Sequence, residues 1–158
     1  MLASKRLQKD IEIINKNISD NSICVKLIND NLKEWEVVIL GPSGTPYVDG
    51  LFKLTITFSD KYPFEPPSIL FNTPIIHPNI SIDGKLCISI LGDKWHASIT
   101  ACRVITEIRE LMISPNLNDP LVLDVANMYL TDYDKFISIA KKYTNKYASE
   151  CQRKNELL

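Results

Sequence analysis

The sequence has few of the residues that ligate metals or form disulfide networks. It contains only two histidines and four cysteines, and no two cysteines form a C-x-x-C pair. Since no Cys/His spacing suits zinc, we predict no metal site. This pattern favours free thiols in a reducing compartment, the cytoplasm or the nucleus. The cysteines are Cys24, Cys87, Cys102 and Cys151.

Long apolar runs and a strong excess of charge are also absent. The first residues, MLASKRLQKDIEII, are charged from the fifth position and contain no apolar stretch of signal-peptide length. No run approaches the roughly 20 apolar residues of a membrane span. The formal net charge is −1. We therefore expect neither a membrane nor nucleic acid as a partner.

The composition that remains is that of one folded domain. The chain has 158 residues, of which 45% are hydrophobic and 23% charged, as in ordinary globular proteins. We find no internal repeat and no linker. Residues 1–148 are expected to form a core without a targeting domain, and residues 149–158 a short polar tail.

The pattern of apolar residues predicts an α+β fold. Leu7, Ile11, Ile14 and Ile18 recur at helical steps and predict an N-terminal helix over residues 3–17. Four runs rich in β-branched and aromatic residues follow, with turn residues between them. They predict a four-stranded antiparallel meander with strands at residues 23–28, 35–40, 51–58 and 68–71.

The second half of the chain is expected to be a stiff loop followed by three helices. Five prolines between residues 62 and 79 exclude a helix or a central strand there. Helical spacing predicts a helix over residues 100–112. Asp119-Pro120 is typical of a helix start and predicts a helix through about Tyr129. A pattern like a capping box at residues 131–134 predicts the start of the last helix.

One segment combines the residue types of acyl-transfer chemistry. His77-Pro78-Asn79 stands ten positions before Cys87, with an Asp-Gly turn between them. A thiol is a strong nucleophile, and an asparagine amide can donate a hydrogen bond to a developing oxyanion. The residues alone leave three readings open: an acyl carrier, a Cys-His hydrolase, or a buried inert cysteine.

A set of ordered motifs resembles the ubiquitin-conjugating enzymes over residues 3–148. Each motif is weak alone, but their order and spacing together are specific. They are Gly41-Pro42-x-x-Thr45-Pro46-Tyr47-x-x-Gly50-x-Phe52, Tyr62-Pro63-Phe64-x-Pro66-Pro67, His77-Pro78-Asn79-Ile80, Gly84-x-Leu86-Cys87, Trp95 and Pro115-x-x-x-Asp119-Pro120-Leu121.

The resemblance implies a fold and a reaction. The fold has one N-terminal helix, a four-stranded antiparallel sheet and three further helices. In the reaction, Cys87 accepts the C-terminus of ubiquitin, or of a ubiquitin-like modifier, from an activating enzyme and passes it to a substrate lysine or a ligase. The implied partners are the modifier, the activating enzyme, ligases and protein substrates. We expect a monomer with no bound cofactor, since the activating enzyme consumes the ATP.

The resemblance also implies roles at the site. Cys87 is the acceptor, Asn79 stabilises the oxyanion, and Asp119 orients the incoming lysine or lowers its pKa. His77 and Pro78 brace the loop. From the residues alone, Asn79 is equally suited to fixing the loop by bonds to nearby backbone, and Asp119 to capping a helix. Ser89 stands where the family often has Ser or Asp, and no role is assigned to it.

A second group of residues is expected to meet partners. In the family, the basic face of the first helix contacts the activating enzyme and ligases, and a loop hydrophobe is gripped by ligases. Phe64 matches that hydrophobe, although covering the sheet edge is an alternative. Where the family usually has proline two residues after Trp95, this chain has alanine, so we expect altered ligase choice. The partner-binding candidates are Lys5, Arg6, Lys9, Phe64, His96 and Ala97.

Besides a carrier of ubiquitin or of a related modifier, two other functions remain open. One is a binding module that keeps the fold without activity, against which the presence of both Cys87 and Asn79 argues. The other is a Cys-His hydrolase, for which no residue that orients the histidine can be identified.

Overall fold

The computed structural model describes residues 2–149. Residues 150–158, which make up most of the predicted tail and include Cys151, lie outside the described residues. The helices are α1 (Leu2–Asn17), α2 (Ala101–Ile113), α3 (Leu123–Thr131) and α4 (Tyr133–Tyr147), and the strands are β1 (Ile23–Ile28), β2 (Asn31–Leu40), β3 (Leu51–Thr57) and β4 (Ser68–Phe71). A 3₁₀ turn spans Ser89–Leu91. The predicted α+β fold and its order of elements are confirmed.

The sheet has the order β1-β2-β3-β4, and every neighbouring pair is antiparallel. β2 begins four residues before its predicted start. Asn29 and Asp30 both have positive φ, 52° and 57°, as in the two-residue turns that join hairpin strands. β2 therefore begins directly after this turn, and Ile28 of β1 pairs with Asn31 of β2. Residues 31–34 are polar except for Leu32, so a single apolar residue gave no strand pattern for this first part of β2.

The core lies between one face of the sheet and the helices. α1 packs against α2 and β2, with Leu7 and Ile14 buried, as the apolar stripe predicts. Side chains alternate along β2 from Trp35 onward and along β3, so that every second residue there is buried. The largest fully buried side chains are Trp35, Tyr47, Tyr62, Phe52, Phe58 and Phe136. None of the helices within residues 2–149 is long and apolar enough to cross a membrane.

The start predicted for the third helix is wrong. Asp119-Pro120 does not open a helix; α3 begins at Leu123, after the uncapped residue Val122. The backbone N–H groups of Leu121 and Val122 both donate to Pro78 O at 2.9 Å. These two N–H groups bond to a distant part of the chain and not within a helix. The residues before Leu123 are therefore irregular, and α3 begins after them. The last helix is capped by Asp132, which accepts from Lys135 N at 3.2 Å.

A short hairpin carries the chain from Asn79 to Cys87. Ile80 bridges to Leu86, and the Asp83-Gly84 turn lies at its tip. Gly84 has φ +89° and accepts from Phe71 N at 2.9 Å, which fixes the tip against the end of β4. A Cβ on Gly84 would lie 2.3 Å from Phe71 O. Only glycine permits both this conformation and this close approach.

Two glycines with similar φ therefore make a matched test of the hairpin. Gly44 has φ +76° but open space around its Cβ position. We expect Gly44→Ala to cost about 1 to 2 kcal/mol, the penalty of left-handed backbone. Gly84→Ala should cost clearly more in the free energy of unfolding, because it also overlaps a backbone carbonyl. Urea unfolding of both variants measures the difference, and equal costs would show that the contact with Phe71 does not constrain the hairpin.

Candidate functional site

The Cys87 thiol is exposed and free. It lies between the hairpin and the 3₁₀ turn, so its backbone follows no regular element. Its N–H donates to Asn79 O at 3.1 Å, which ties the cysteine directly to the His77-Pro78-Asn79 turn. This exposure contrasts with the usual burial of free cysteines. Ser89 is also exposed and lines a cleft of about 310 Å³ between this segment and α2.

His77 is fully buried, and both of its ring nitrogens are engaged. Nε2 donates to Leu111 O at 2.7 Å, because a carbonyl can only accept. Nδ1 therefore accepts from Asn79 N, at 2.9 Å. Burial lowers the pKa of His77 to about 4, so the ring is neutral near pH 7. In this arrangement His77 braces the turn and has no nitrogen left to act as a base.

The second histidine does not supply a base for Cys87 either. His96 is exposed, and its Nδ1 bonds with Ser98 Oγ at 2.7 Å. Neither histidine of the chain is hydrogen-bonded to Cys87 within the described residues. A Cys-His hydrolase needs such a bond, or a position from which one can form. The geometry therefore favours a thiol that works without a histidine partner.

Asn79 is also fully buried, and its side-chain amide holds the loop that precedes α3. Oδ1 accepts from Asn116 N at 2.8 Å, and Nδ2 donates to Asn116 O at 2.8 Å. A longer contact of 3.5 Å joins Nδ2 to Asp119 O. The loop-fixing alternative for Asn79 is thus realised in the structure. Sequence reasoning missed Asn116, although the nearby Pro115 and Asp119 of the family motif indicated the segment.

The Asp119 side chain is exposed and belongs to the loop held by Asn79. Its capping alternative is excluded, because α3 starts four residues later. Within residues 2–149 its carboxylate makes no hydrogen bond or ion pair. A free carboxylate on a loop fixed beside the cysteine segment can meet an incoming cation.

Most of the partner-binding candidates are on the surface. Lys5 and Lys9 are exposed on α1, and His96 is exposed while Ala97 is half-buried. Phe64 is 69% exposed. A side chain that covered the sheet edge would be buried, so the alternative for Phe64 is excluded.

Arg6 differs from the two lysines. Its guanidinium donates to Ala97 O at 2.5 Å and to Ile99 O at 2.7 Å, and its Nε pairs with Asp10 at 3.2 Å. Asp10 is fully buried and also accepts from the Tyr62 hydroxyl. Sequence reasoning missed this network. The available signal was an aspartate at the position between Leu7 and Ile14 on the apolar stripe of α1.

The remaining cysteines divide into one exposed and one buried thiol. Cys102 is buried in α2, as predicted for an inert cysteine. The same prediction is wrong for Cys24, which is exposed because β1 is an edge strand and this residue points away from the core. In the part of the chain that the structure describes, no three or more His, Cys, Asp or Glu side chains gather as metal ligands.

Comparison with known proteins gives two findings. A family model described as ubiquitin-conjugating enzyme matches residues 6–144. Among solved structures, the E2 domain of a Toxoplasma gondii ubiquitin-conjugating enzyme is 32% identical, with a TM-score of 0.83, and the match covers 92% of this chain and 98% of that domain.

The buried neutral His77 predicts how stability depends on pH. Its pKa falls from 6.5 in the unfolded chain to about 4 in the fold. Between these values the unfolded chain binds a proton that the folded chain does not. The free energy of unfolding should therefore decrease by about 2 kcal/mol through His77 as the pH falls from 7 to 5.

Urea unfolding of His77→Gln and His96→Gln at the two pH values measures this contribution. His77→Gln should lower stability at pH 7 but lose most of the additional decrease at pH 5. The exposed His96 serves as the matched control, and His96→Gln should keep the pH dependence of the unchanged chain. If the two variants have the same pH dependence, His77 is not held neutral by the fold.

Proposed function

Because the chain belongs to the ubiquitin-conjugating enzyme family, we propose that it carries ubiquitin as a thioester on Cys87 and transfers it to a substrate lysine. The family and the fold expected from the motifs are confirmed by the matched family model and the E2 domain. The observation that carries the proposal is an exposed thiol whose backbone is tied to the buried His77-Pro78-Asn79 turn. Such support fixes the position of a nucleophile before its substrate arrives.

Loading is an exchange of one thioester for another. The Cys87 thiolate attacks the carbonyl carbon at the C-terminus of ubiquitin, which is bound as a thioester to the activating enzyme. A new C–S bond forms at Cys87, and the C–S bond to the activating enzyme breaks with release of its thiolate. Since the bonds made and broken are of one kind, the acyl group remains activated toward amines.

Transfer forms an amide. The lysine ammonium first gives a proton to water, and the neutral amine attacks the same carbonyl. The nitrogen of the tetrahedral intermediate then loses a second proton, the C–S bond to Cys87 breaks, and the thiolate leaves. The exposed carboxylate of Asp119 is suited to orient the incoming lysine and to accept the proton from that nitrogen. We propose Asp119 for this role because it lies on the loop held by Asn79, and its carboxylate has no hydrogen-bond or ion-pair partner among the described residues.

Asn79 is proposed to serve both as a loop brace and as an oxyanion donor. Its Nδ2 has two hydrogens, and the bond to Asn116 O at 2.8 Å uses one of them. The second contact, to Asp119 O at 3.5 Å, is beyond the usual length of an N–H···O bond. That hydrogen is held weakly, so a negatively charged oxygen is a better acceptor for it than the carbonyl.

The remaining parts of the proposal concern partners and place. We propose ubiquitin, a ubiquitin-activating enzyme, ligases and protein substrates as partners, and action in the cytoplasm or nucleus. ATP is consumed by the activating enzyme, and no cofactor is proposed for this chain. Lys5, Lys9, Phe64 and His96 are proposed to contact the activating enzyme and ligases, because all four are exposed.

A loading assay tests the proposal. The chain is incubated with ubiquitin, an activating enzyme and ATP, and the products are separated without reductant. We expect an adduct that reductant removes. In Cys87→Ser the adduct should be an oxygen ester, which resists reductant and is cleaved by alkali. Cys24→Ser is the matched control, since Cys24 is the other exposed thiol within residues 2–149, and this variant should load as the unchanged chain does.

The same assay separates the alternatives. Loading with a related modifier but not with ubiquitin would assign the chain to that modifier, so a modifier panel is included. Absence of any adduct would leave a binding module. Cleavage of a ubiquitin ester without an acceptor amine would indicate a hydrolase.

The role of Asn79 is tested by discharge of the loaded chain to free lysine. Asn79→Ala should still load, but its discharge should be about a hundredfold slower, the usual effect of losing one oxyanion donor. It should also unfold more easily, by about 1 to 3 kcal/mol, because Asn116 loses its partner.

Pro115→Gly provides the control for loop mobility. This substitution loosens the loop that Asn79 holds while keeping the amide itself. Its discharge rate should stay within a few-fold of that of the unchanged chain. A loss as large as that of Asn79→Ala would assign the whole effect to the loop and exclude the oxyanion role.

A further inference from the structure

We propose that Arg6 acts from inside the protein, as the residue that positions the loop of residues 95–99, and that it does not bind partners directly. The resemblance to the family suggests the opposite, since it places Arg6 with Lys5 and Lys9 on a partner-binding face. The inference rests on the proposed function only in assuming that this loop meets ligases.

Each of the three nitrogens of the Arg6 guanidinium donates a hydrogen bond within the molecule. Nη1 and Nη2 donate to the carbonyls of Ala97 and Ile99, at 2.5 and 2.7 Å. Nε donates to Asp10 Oδ1 at 3.2 Å. The side chain is only 18% exposed. A planar fork with donors on two sides can hold two carbonyls and a carboxylate at once, which a lysine ammonium cannot do in the same geometry.

Asp10 makes the anchor of this fork rigid. Its side chain is 0% exposed, and its second oxygen accepts from the Tyr62 hydroxyl. Burial and the bond to Asp10 raise the pKa of Tyr62, so this hydroxyl remains a donor. The Arg6 guanidinium also lies 5.5 Å from the centre of the Tyr62 ring. A buried ion pair whose polar atoms are satisfied specifies one geometry.

The network joins the three segments that carry the partner-binding candidates. Arg6 and Asp10 lie on α1 with Lys5 and Lys9. Tyr62 precedes Phe64, and Trp95 at the start of the loop donates from Nε1 to Pro63 O at 3.0 Å. The bonds of Arg6 therefore set the spacing between α1 and the 95–99 loop, while Trp95 sets that between the loop and the Phe64 segment.

The network also explains how the loop manages without the usual proline. Ala97 leaves free a φ that proline would fix, and the loop's own backbone bond is that of Ile99 N to His96 O, 3.0 Å. Arg6 donates hydrogen bonds to the carbonyls on both sides of Ser98. These bonds constrain the loop from α1, where a proline would constrain it from within. The N–H of Ala97 donates no backbone hydrogen bond within the described residues, so proline at this position would remove none.

The test uses Arg6→Lys, which keeps a cation beside Asp10 but loses the fork. Amide hydrogen exchange is measured for residues 96–99. We expect the Ile99 amide to exchange about tenfold faster, the factor expected from losing roughly one charged hydrogen bond. Arg103→Lys is the matched control, because its ion pair with Glu107 is exposed, and it should leave this exchange unchanged. Unchanged exchange in Arg6→Lys would overturn the proposal.

Rescue separates positioning from direct contact. A panel of isolated RING domains is first screened with the unchanged, ubiquitin-loaded chain. The domain that most stimulates discharge to lysine is then used with each variant. Stimulation is expressed relative to the same variant's rate without the RING domain. Arg6→Lys should reduce the stimulation several-fold, and adding Ala97→Pro should restore most of it by stiffening the loop. If Ala97→Pro slows amide hydrogen exchange in the loop but does not restore stimulation, Arg6 contacts the ligase directly and the positioning role is wrong.

A second variant guards against misfolding. Arg6→Gln combined with Asp10→Asn removes the ion pair as a unit, so no buried charge is left unpaired. It should loosen the loop as much as Arg6→Lys does, with a cooperative melt that shows a folded chain. Because the exchange measurement needs neither ubiquitin nor a ligase, it decides the positioning claim even if the chain fails to load.

Discussion

The fold and the candidate site depend on one buried turn, His77-Pro78-Asn79. Its hydrogen bonds reach the last turn of α2 through Leu111 O and the segment before α3 through Pro78 O. They also reach the loop at Asn116 and the backbone of Cys87. Buried polar groups are costly unless they are paired, so these bonds specify one arrangement of four segments. The proposed nucleophile, Cys87, is placed by the same interactions that assemble the C-terminal half of the protein.

Local patterning was enough to predict the elements whose bounds depend on burial. The stripe containing Leu7 and Ile14 predicted α1, and alternation predicted β3. The start of β2 was missed because a local turn decides it, whereas the start of α3 was missed because a distant group decides it. α3 starts late because Leu121 and Val122 donate to Pro78, some forty residues away in the chain. The pattern of residues 119–129 alone cannot predict that contact.

The site shows the same division between near and distant causes. Cys87 and the turn before it were recognisable from residue types and motif order. The partner of Asn79 was not recognisable from the sequence. Asn79 bonds the backbone of Asn116, and every residue except proline has the same backbone groups, so no residue type indicates this contact. Arg6 was assigned to a partner-binding surface because the family resemblance groups it with Lys5 and Lys9. Only the structure shows that its fork is occupied by carbonyls from the far side of the chain.

The burial of His77 also bears on how the proposed thioester at Cys87 would survive in water. A thioester is hydrolysed quickly when a base nearby activates a water molecule. His77 is close to the cysteine along the turn, yet both nitrogens are bonded and burial keeps its pKa near 4. A carrier needs an acyl group that waits for an amine. In the proposed function the turn therefore acts in two ways: its bonds place the thiol, and they keep the His77 imidazole from acting as a base.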